Sequence, residues 1–537
     1  MTNKIPDFKL APATLAADSL TLIWDKPANY DKVTAYHLYQ EDQLIAKRPV
    51  NKTHITLTNL LPSTSYTFKL VTVDRMNVED VSSRVNLVVR TKEQGSLIDV
   101  TKAPYFADAS GLVKSTVKIQ QAIFDCPEHG TILIPEGAVI LTGALDLKSN
   151  VTFQVDGKLI ASLDPKDYTI TKEQSWFQGQ VNQDGLPLSR YEGWELHCYR
   201  SLINLGYIDP SDRKKTVIEN VRICGVGEIC GGGNELGLAM REIYQDVEKY
   251  FEYYSDQRPG RRVRGRLICM MQAKNIHLTG VAVTNPSCWT IHMIYCDTVT
   301  THGISIKSKG IDNGDGWDPD SSQNMLIFDT TFDTGDDCIA IKSGKNPEGN
   351  QINIPTKNVR IFDLEMVGGH GMAIGSEQSG GVDGVSLRDC RIKNTLYGLE
   401  LKAHNNRGGY IKHITMQDCE IDSFKAHSVE YNADGLPADH LPVFSDIRIE
   451  NTVINGPGRS IELIGFSNET STDGQAYVQN VFVKNVTLGM LTDETKEIYL
   501  EKCQSVCFEN VKIANLNQPT YILAEATVSN ITMKEDE

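Results

Sequence analysis

Apolar and polar residues alternate in short runs along the chain, and they do so in two rhythms. Over residues 1–95, alternating runs at 20–24, 35–39, 54–57 and 66–73 are separated by Pro, Asn and Asp turns. Alternation turns one face of each run inward, and short strands at this spacing predict a β-sandwich. Residues 91–97 read as a linker. Beyond it a second unit recurs: a polar residue, often Asn, then apolar, any, apolar. Asn275-Ile276-His277-Leu278, Asn324-Met325-Leu326-Ile327, Asn358-Val359-Arg360-Ile361 and Asn480-Val481-Phe482-Val483 are instances. The first apolar positions fall at 276, 299, 325, 359, 385, 414, 447, 481 and 506, in steps of 23 to 34 residues. Such strands with no helices between them predict a right-handed parallel β-helix, whose coils bury their inner faces only on one another. The Leu-x-x-Leu-x-Leu signature is missing, which excludes a leucine-rich solenoid. The expected fold is all-β: a sandwich over 1–95 and a parallel β-helix over 96–537.

Composition narrows the partners. Lys plus Arg number 53 against 69 Asp plus Glu, a formal net charge of -16 over 537 residues. That balance argues against nucleic acid and against an anionic membrane surface, but not against an anionic ligand in a local basic pocket. No run of 18 apolar residues occurs, so no membrane-spanning helix is expected. The first residues, MTNKIPDFKL, lack the apolar core of a secretory leader. The 12 cysteines are scattered, and Cys224, Cys269, Cys338, Cys390 and Cys419 sit in apolar runs. They read as small buried hydrophobes in a reducing compartment, and the expected location is the cytoplasm. Cys503 and Cys507 have no second ligand pair beside them, so no zinc site is expected.

Polar residues that break the repeat cluster in one region. Asn313-Gly314-Asp315-Gly316-Trp317-Asp318 is followed by Gly335-Asp336-Asp337-Cys338, Gly369-His370-Gly371 and Leu399-Glu400-Leu401-Lys402. The intervals 315 to 336, 337 to 370 and 370 to 402 are each about one coil, so these residues should stack as a ladder on one side of the solenoid. The result is a groove holding three carboxylates, a His and a Lys. An inverting glycosidase needs such a set: one carboxylic acid to protonate the leaving oxygen and a carboxylate roughly 6.5–9.5 Å away to activate water. Crowded carboxylates raise the pKa of at least one of them. The alternative is that Asp, Asn and Gly merely fill solenoid turns, which suits any single residue better than the whole set.

Two resemblances follow. The stretch Leu60-Leu61-Pro62-Ser63-Thr64-Ser65-Tyr66, with Trp24 and no cysteines, resembles the tyrosine corner of a fibronectin type III domain. Such a module is more often a spacer or packing partner than a carbohydrate binder. From about residue 98 onward the chain resembles the polygalacturonases of glycoside hydrolase family 28, nearer the exo-acting bacterial branch. Asn313-Gly314-Asp315 matches the family's Asn-Thr-Asp with Gly for Thr, while Asp336-Asp337-Cys338 and Gly369-His370-Gly371 match without change. The resemblance implies that Asp336 is the general acid, that Asp315 and Asp337 hold and activate water, and that His370 tunes the carboxylates. It implies no metal and no cofactor. The family's Arg-Ile-Lys is here Glu400-Leu401-Lys402. Lys402 remains available to a galacturonate carboxylate. Glu400 would repel one, unless it turns into a salt bridge with Lys402 or Arg407.

A uronate ligand needs cations, and the densest cluster spans residues 258–266. Most of its arginines are expected to pair with the acids of an amphipathic helix around 235–254 (Glu242, Asp246, Glu248, Glu252). Arg264 and Arg266, nearest the next strand, are the substrate candidates. Asn313, Lys342 and His292 complete the candidate binding set; Trp289 and His292 resemble a family segment near the groove. Residues 160–265 interrupt the coil rhythm apart from a strand near 220–223, and an insertion of this size is expected beside the groove.

The combined expectation is an inverting exo-acting hydrolase that releases galacturonate from the end of pectic oligogalacturonides. Its rivals are a rhamnogalacturonan or modified-galacturonide hydrolase of the same mechanism, a pectate lyase-like β-helix enzyme, and a non-catalytic carbohydrate-binding β-helix.

Overall fold

The computed structural model describes residues 4–467, 474–489, 498–514, 521–523 and 527–534. The N-terminal domain is a sandwich of a three-stranded sheet (Lys9–Leu10, Leu20–Ile23, His54–Leu57) and a four-stranded one (Gln43–Pro49, Val33–Gln40, Ser65–Asp74, Glu79–Arg90). Trp24, Tyr36, Phe68 and Leu70 fill its core. The Leu61 N–H donates to the Tyr66 hydroxyl at 2.8 Å, closing the corner that the sequence suggested.

Most of the remaining strands wind into a parallel β-helix. One sheet has 12 strands; two further ladders join at a corner into a run of 22, and Gln323–Asp333 spans both. The repeat positions named above form a single registered column. Ile276 pairs with Val299, then Met325, Val359, Val385, Ile414, Ile447, Val481 and Val506 in succession. Val221 extends the column at one end and Ile531 at the other. The members from Val221 to Val506 are buried, and each branched side chain so buried contributes about 1.5–3 kcal/mol. The polar residue before each has a physical role: Asn220, Asn275, Asn324, Asn358 and Asn480 all have φ between 55° and 58°, the left-handed turn that Asn tolerates best after Gly. Their amides stack from coil to coil, Asn275 on Asn220 and Asn358 on Asn324, each at 2.6 Å. The helix Thr116–Asp125 closes the first coil with Ile119, Ala122 and Ile123.

The sandwich docks on the outer face of the large sheet. Alternation that sends Met325, Ile327, Val359 and Ile361 inward leaves Leu326, Phe328 and Phe362 outside, where they pack on Ala11 and Ile23. Lys26 lies between Asp389 (2.5 Å) and Asp418 (2.9 Å), and Tyr30 donates to Asp418 at 2.7 Å.

The 160–265 region is more regular than its sequence suggests. Ile203–Gly206 joins the 12-stranded sheet, and Glu228–Cys230 joins the large one. The expected helix over 235–254 is shorter: α-helix covers Gly233–Arg241, followed by isolated 3-10 turns at Glu242–Tyr244 and Phe251–Tyr253. The true insertions are the hairpin Leu188–Tyr191/Trp194–His197 and the loop around 254–261.

Candidate active site

The 12-stranded sheet builds the site. Ile291, Trp317, Ile339, Met372, Leu399 and Phe424 are registered across successive strands. Two residues before that row stand Asp315, Asp337, His370 and Tyr397; three residues after it stand Asp320, Lys342, Gly375 and Lys402. These residues do lie along one side of the sheet, but they do not stack as the coil lengths predict. His370 is level with Tyr397, and Lys402 belongs to the row of Lys342, at the far edge of the same strands. The rungs are hydrogen-bonded: Gly316 N–H donates to Asp337 O at 2.9 Å, and His370 N–H to Asp336 O at 2.9 Å.

The Gly residues flanking His370 follow from crowding. A Cβ on Gly369 would lie 2.6 Å from the Asp336 carbonyl oxygen, and one on Gly371 2.2 Å from that of Tyr397; both have positive φ. Only glycine fits on either side of the imidazole.

These residues line a pocket of about 330 Å³. His370 Nδ1 is 2.9 Å from Asp336 Oδ1 and 3.6 Å from Asp337 Oδ1. Its bonds to the two carboxylates raise the imidazole to about 10. Burial opposes ionisation of Asp337, but Lys402 at 3.5 Å, His370 and Lys342 outweigh it and bring the carboxyl down to about 2. Asp315 goes the other way: burial, then the charge of Asp336, push it well up, although Lys342 lies 3.4 Å away. Lys342 also lies 3.7 Å from Glu377 and 4.5 Å from the Trp289 ring centroid. Its burial is offset by those carboxylates, which hold the ammonium well above its ordinary value.

Several expected ligands lie elsewhere. Arg266 is buried, stacked at 4.8 Å on Tyr191 and 5.3 Å on Trp289, and donates to the Arg190 carbonyl. Arg264, also buried, bonds to the Tyr191 hydroxyl (2.8 Å) and Asn313 Oδ1 (2.7 Å). Neither lines the pocket; Arg261 does, ion-paired with Asp256 and donating to Asn313 Oδ1 at 2.7 Å. Nor do these arginines use the upstream helix. Their acids are Asp312, Glu192, Asp256 and Asp434. His292 is fully buried, 3.4 Å from Asp320, and burial lowers it to about 3, so it is a neutral core histidine. Glu400 does not face the pocket: His427 holds it at 2.8 Å and Lys402 at 3.1 Å. Asn313 does line it, 3.4 Å from Asp336 Oδ2.

Glu377 and Tyr431 also line the pocket, from outside the repeat spacing, where no sequence pattern marks them. Asp318 stands three residues beyond Asp315 with no role in the motif. That carboxyl is fully buried, neither oxygen has a hydrogen-bond partner among the described residues, and burial with the Asp315 charge raises it well above the usual range. From the insertions, Glu192, Asp256 and Arg261 wall one side. Asp336, Asp337 and His370 present ligand atoms within 4.8 Å of one another, as do His54, Asp329 and Asp363 at the domain interface. Cations already serve both groups, His370 in the first and Lys52 in the second.

Known proteins share this architecture. Residues 212–451 match glycosyl hydrolases family 28, and residues 9–87 match the fibronectin type III domain. An exo-poly-alpha-D-galacturonosidase of Dickeya chrysanthemi is 24% identical, covering 98% of this chain and 93% of that protein. The family 28 exopolygalacturonase structure of Yersinia enterocolitica superposes with a TM-score of 0.79 at 23% identity, over 98% of this chain and 99% of that one. A hyperthermoactive exopolygalacturonase of Thermotoga maritima superposes with a TM-score of 0.60 at 24% identity, over 82% and 91%.

Proposed function

We propose that this chain, a family 28 glycoside hydrolase carrying an N-terminal fibronectin type III domain, is an exo-polygalacturonase that removes galacturonate from the end of pectic oligogalacturonides. The observation that carries the reading is one pocket in which the Asp336–His370 pair and the ionised Asp337 stand among Lys342, Lys402 and Arg261, with the insertions walling one side. Cations inside a chain of net charge -16 suit a carboxylated sugar.

In this reading Asp336 protonates the glycosidic oxygen as the bond to C1 breaks. Asp315 and Asp337 hold a water whose oxygen bonds C1 from the opposite face, and one of them takes its proton. A single negative charge on that pair suffices, and Asp337 carries it. His370, bonded to both Asp336 and Asp337, supplies the proton that Asp336 delivers and is reprotonated from the carboxyl that takes the water proton. Galacturonate leaves with inverted anomeric configuration. Glu400, bound to His427 and Lys402, gives no ground for a rhamnogalacturonan substrate.

A cytoplasmic location belongs to the same proposal. All 12 cysteines are unpaired and ten are buried, as a reducing compartment allows. Recovery of the protein from the periplasm or medium of its source cells would overturn that part.

The test is product analysis on trigalacturonate with and without chelator. Saturated galacturonate and digalacturonate, indifferent to chelator, are expected. Unsaturated products would mean a lyase, and no turnover with intact binding would mean a binding protein.

A further inference from the structure

A second cavity, of about 570 Å³, lies between the sandwich and the first coils, remote in the fold from the catalytic sheet. Residues 13–18 and the linker 92–97 form one wall, and the outer surface of the first coils forms the other. The linker packs closely there: a Cβ on Gly95 would meet the His129 carbonyl, so this wall is held rather than draped.

Two cations line the cavity, Lys92 from the linker and Arg222 from the strand Ile218–Cys224. Among the described residues neither makes an ion pair. The one side-chain bond of Arg222 is from Nη2 to Ser19 Oγ at 3.2 Å, and its buried Nε has no partner. Much of Lys92 is open to solvent, yet the surrounding walls and the Arg222 charge pull its ammonium below its ordinary value. Two acids, Asp18 and Glu93, also line the cavity, and Asp18 accepts from Ser19 Oγ at 3.0 Å. On a chain with 69 acids and 53 Lys and Arg, these two neighbouring cations stand beside two acids without forming an ion pair to either.

The cavity floor carries the stacked amides of Asn150, Asn220 and Asn275. Asn275 spends one N–H in the stack, Asn220 one N–H and one oxygen lone pair, and Asn150 one lone pair, with an N–H to Glu128; each retains further donor and acceptor capacity. Side-chain amides beside cations suit a ligand with hydroxyls and a carboxylate together, and the volume lies within the range of small-ligand pockets, roughly 300–1,000 Å³.

We propose that this interdomain cavity is a second binding site for a uronate-bearing oligosaccharide, with Lys92 and Arg222 taking the carboxylate and the Asn stack the hydroxyls. The ligand class rests on the proposed function; the site itself does not. A site here keeps a substrate or product chain on the enzyme without entering the catalytic pocket, none of whose lining residues comes from the sandwich.

The experiment is calorimetric titration of the full chain carrying Asp336→Asn, so that the ligand stays intact, with trigalacturonate, neutral galactotriose and inorganic sulfate. Two equivalents of trigalacturonate and none of galactotriose are expected. Adding Lys92→Glu, an exposed change that leaves the fold intact, or Arg222→Gln should reduce two equivalents to one. In the wild-type background these substitutions should leave trigalacturonate hydrolysis within twofold. One equivalent in every variant would overturn the second site, and sulfate binding with the same loss in Lys92→Glu would overturn the saccharide assignment. Hydrolysis is scored separately: no turnover with two equivalents bound would sink the proposed function and leave the site standing.

Discussion

His370 Nδ1 sits 2.9 Å from Asp336 Oδ1 and reaches Asp337 as well, so one imidazolium serves two successive carboxylates. The two flanking glycines and the His370 N–H bond to the Asp336 carbonyl make that contact a property of the backbone, not of a chance rotamer.

The pH dependence of stability follows from this pair. His370 is raised to about 10, so its contribution is complete below its unfolded value of ~6.5 and is lost as pH rises through 10. Asp337 is lowered to about 2, so its contribution is present above its unfolded value of ~3.9 and is lost as pH falls through 2. Urea midpoints of the wild type and His370→Gln should therefore differ most below pH ~6.5 and converge toward pH 10. A difference that grows on the alkaline side would refute the ion pair.

Asp336→Asn and Asp337→Asn should each lower kcat by about 10²–10⁴-fold with little change in KM, since the groups act on protons in the transition state. Steady-state kinetics on trigalacturonate decide it. A change confined to KM would assign both to binding.

Glu400→Arg should not improve activity. The side chain would enter a buried place between His427 and Lys402, leaving cations facing one another, at a cost of about 3–5 kcal/mol. Denaturant melts read the loss directly.

Arg261→Gln should raise KM about 10–100-fold through loss of a charge-assisted contact of about 1.5–3 kcal/mol, while Arg266→Gln should mainly lower the melting temperature. Parallel kinetics and melts of the two variants separate ligand from scaffold. Equal KM effects would contradict the placement of Arg266 behind Tyr191 and Trp289.

Lys26→Ala should weaken the docking of the sandwich without touching catalysis. Burial already pushes Asp389 up to about 6 against the pull of Lys26, and removing that cation leaves Asp389 and Asp418 side by side. The expected loss is about 3–5 kcal/mol, with kcat/KM within twofold. A large fall in kcat/KM would show that the sandwich shapes the pocket.

The solenoid is legible in the sequence because its signal is local. Burial of alternate residues sets the positions from Ile276 to Val506, and the structure registers them as one column, even through steps that vary from 23 to 34 residues. The residue before each is local too, since a left-handed turn favours Asn, Asp or Gly, although Thr298, His413 and Ser505 take the same turn. The chemistry on the outer face is only half legible. Asp315, Asp336, Asp337, His370, Lys342 and Lys402 are recognisable by type and motif. Their stacking depends on turns of unequal length, so only the folded coil sets His370 beside Tyr397 and Lys402 in the row of Lys342. The choice among Arg261, Arg264 and Arg266 was beyond any local pattern. Neighbours in sequence, they are sorted by partners far along the chain: Asp312 and Asn313 on another coil, Trp289 in the pocket wall and Tyr191 behind it. Burying an arginine requires such partners, and only the tertiary structure supplies them.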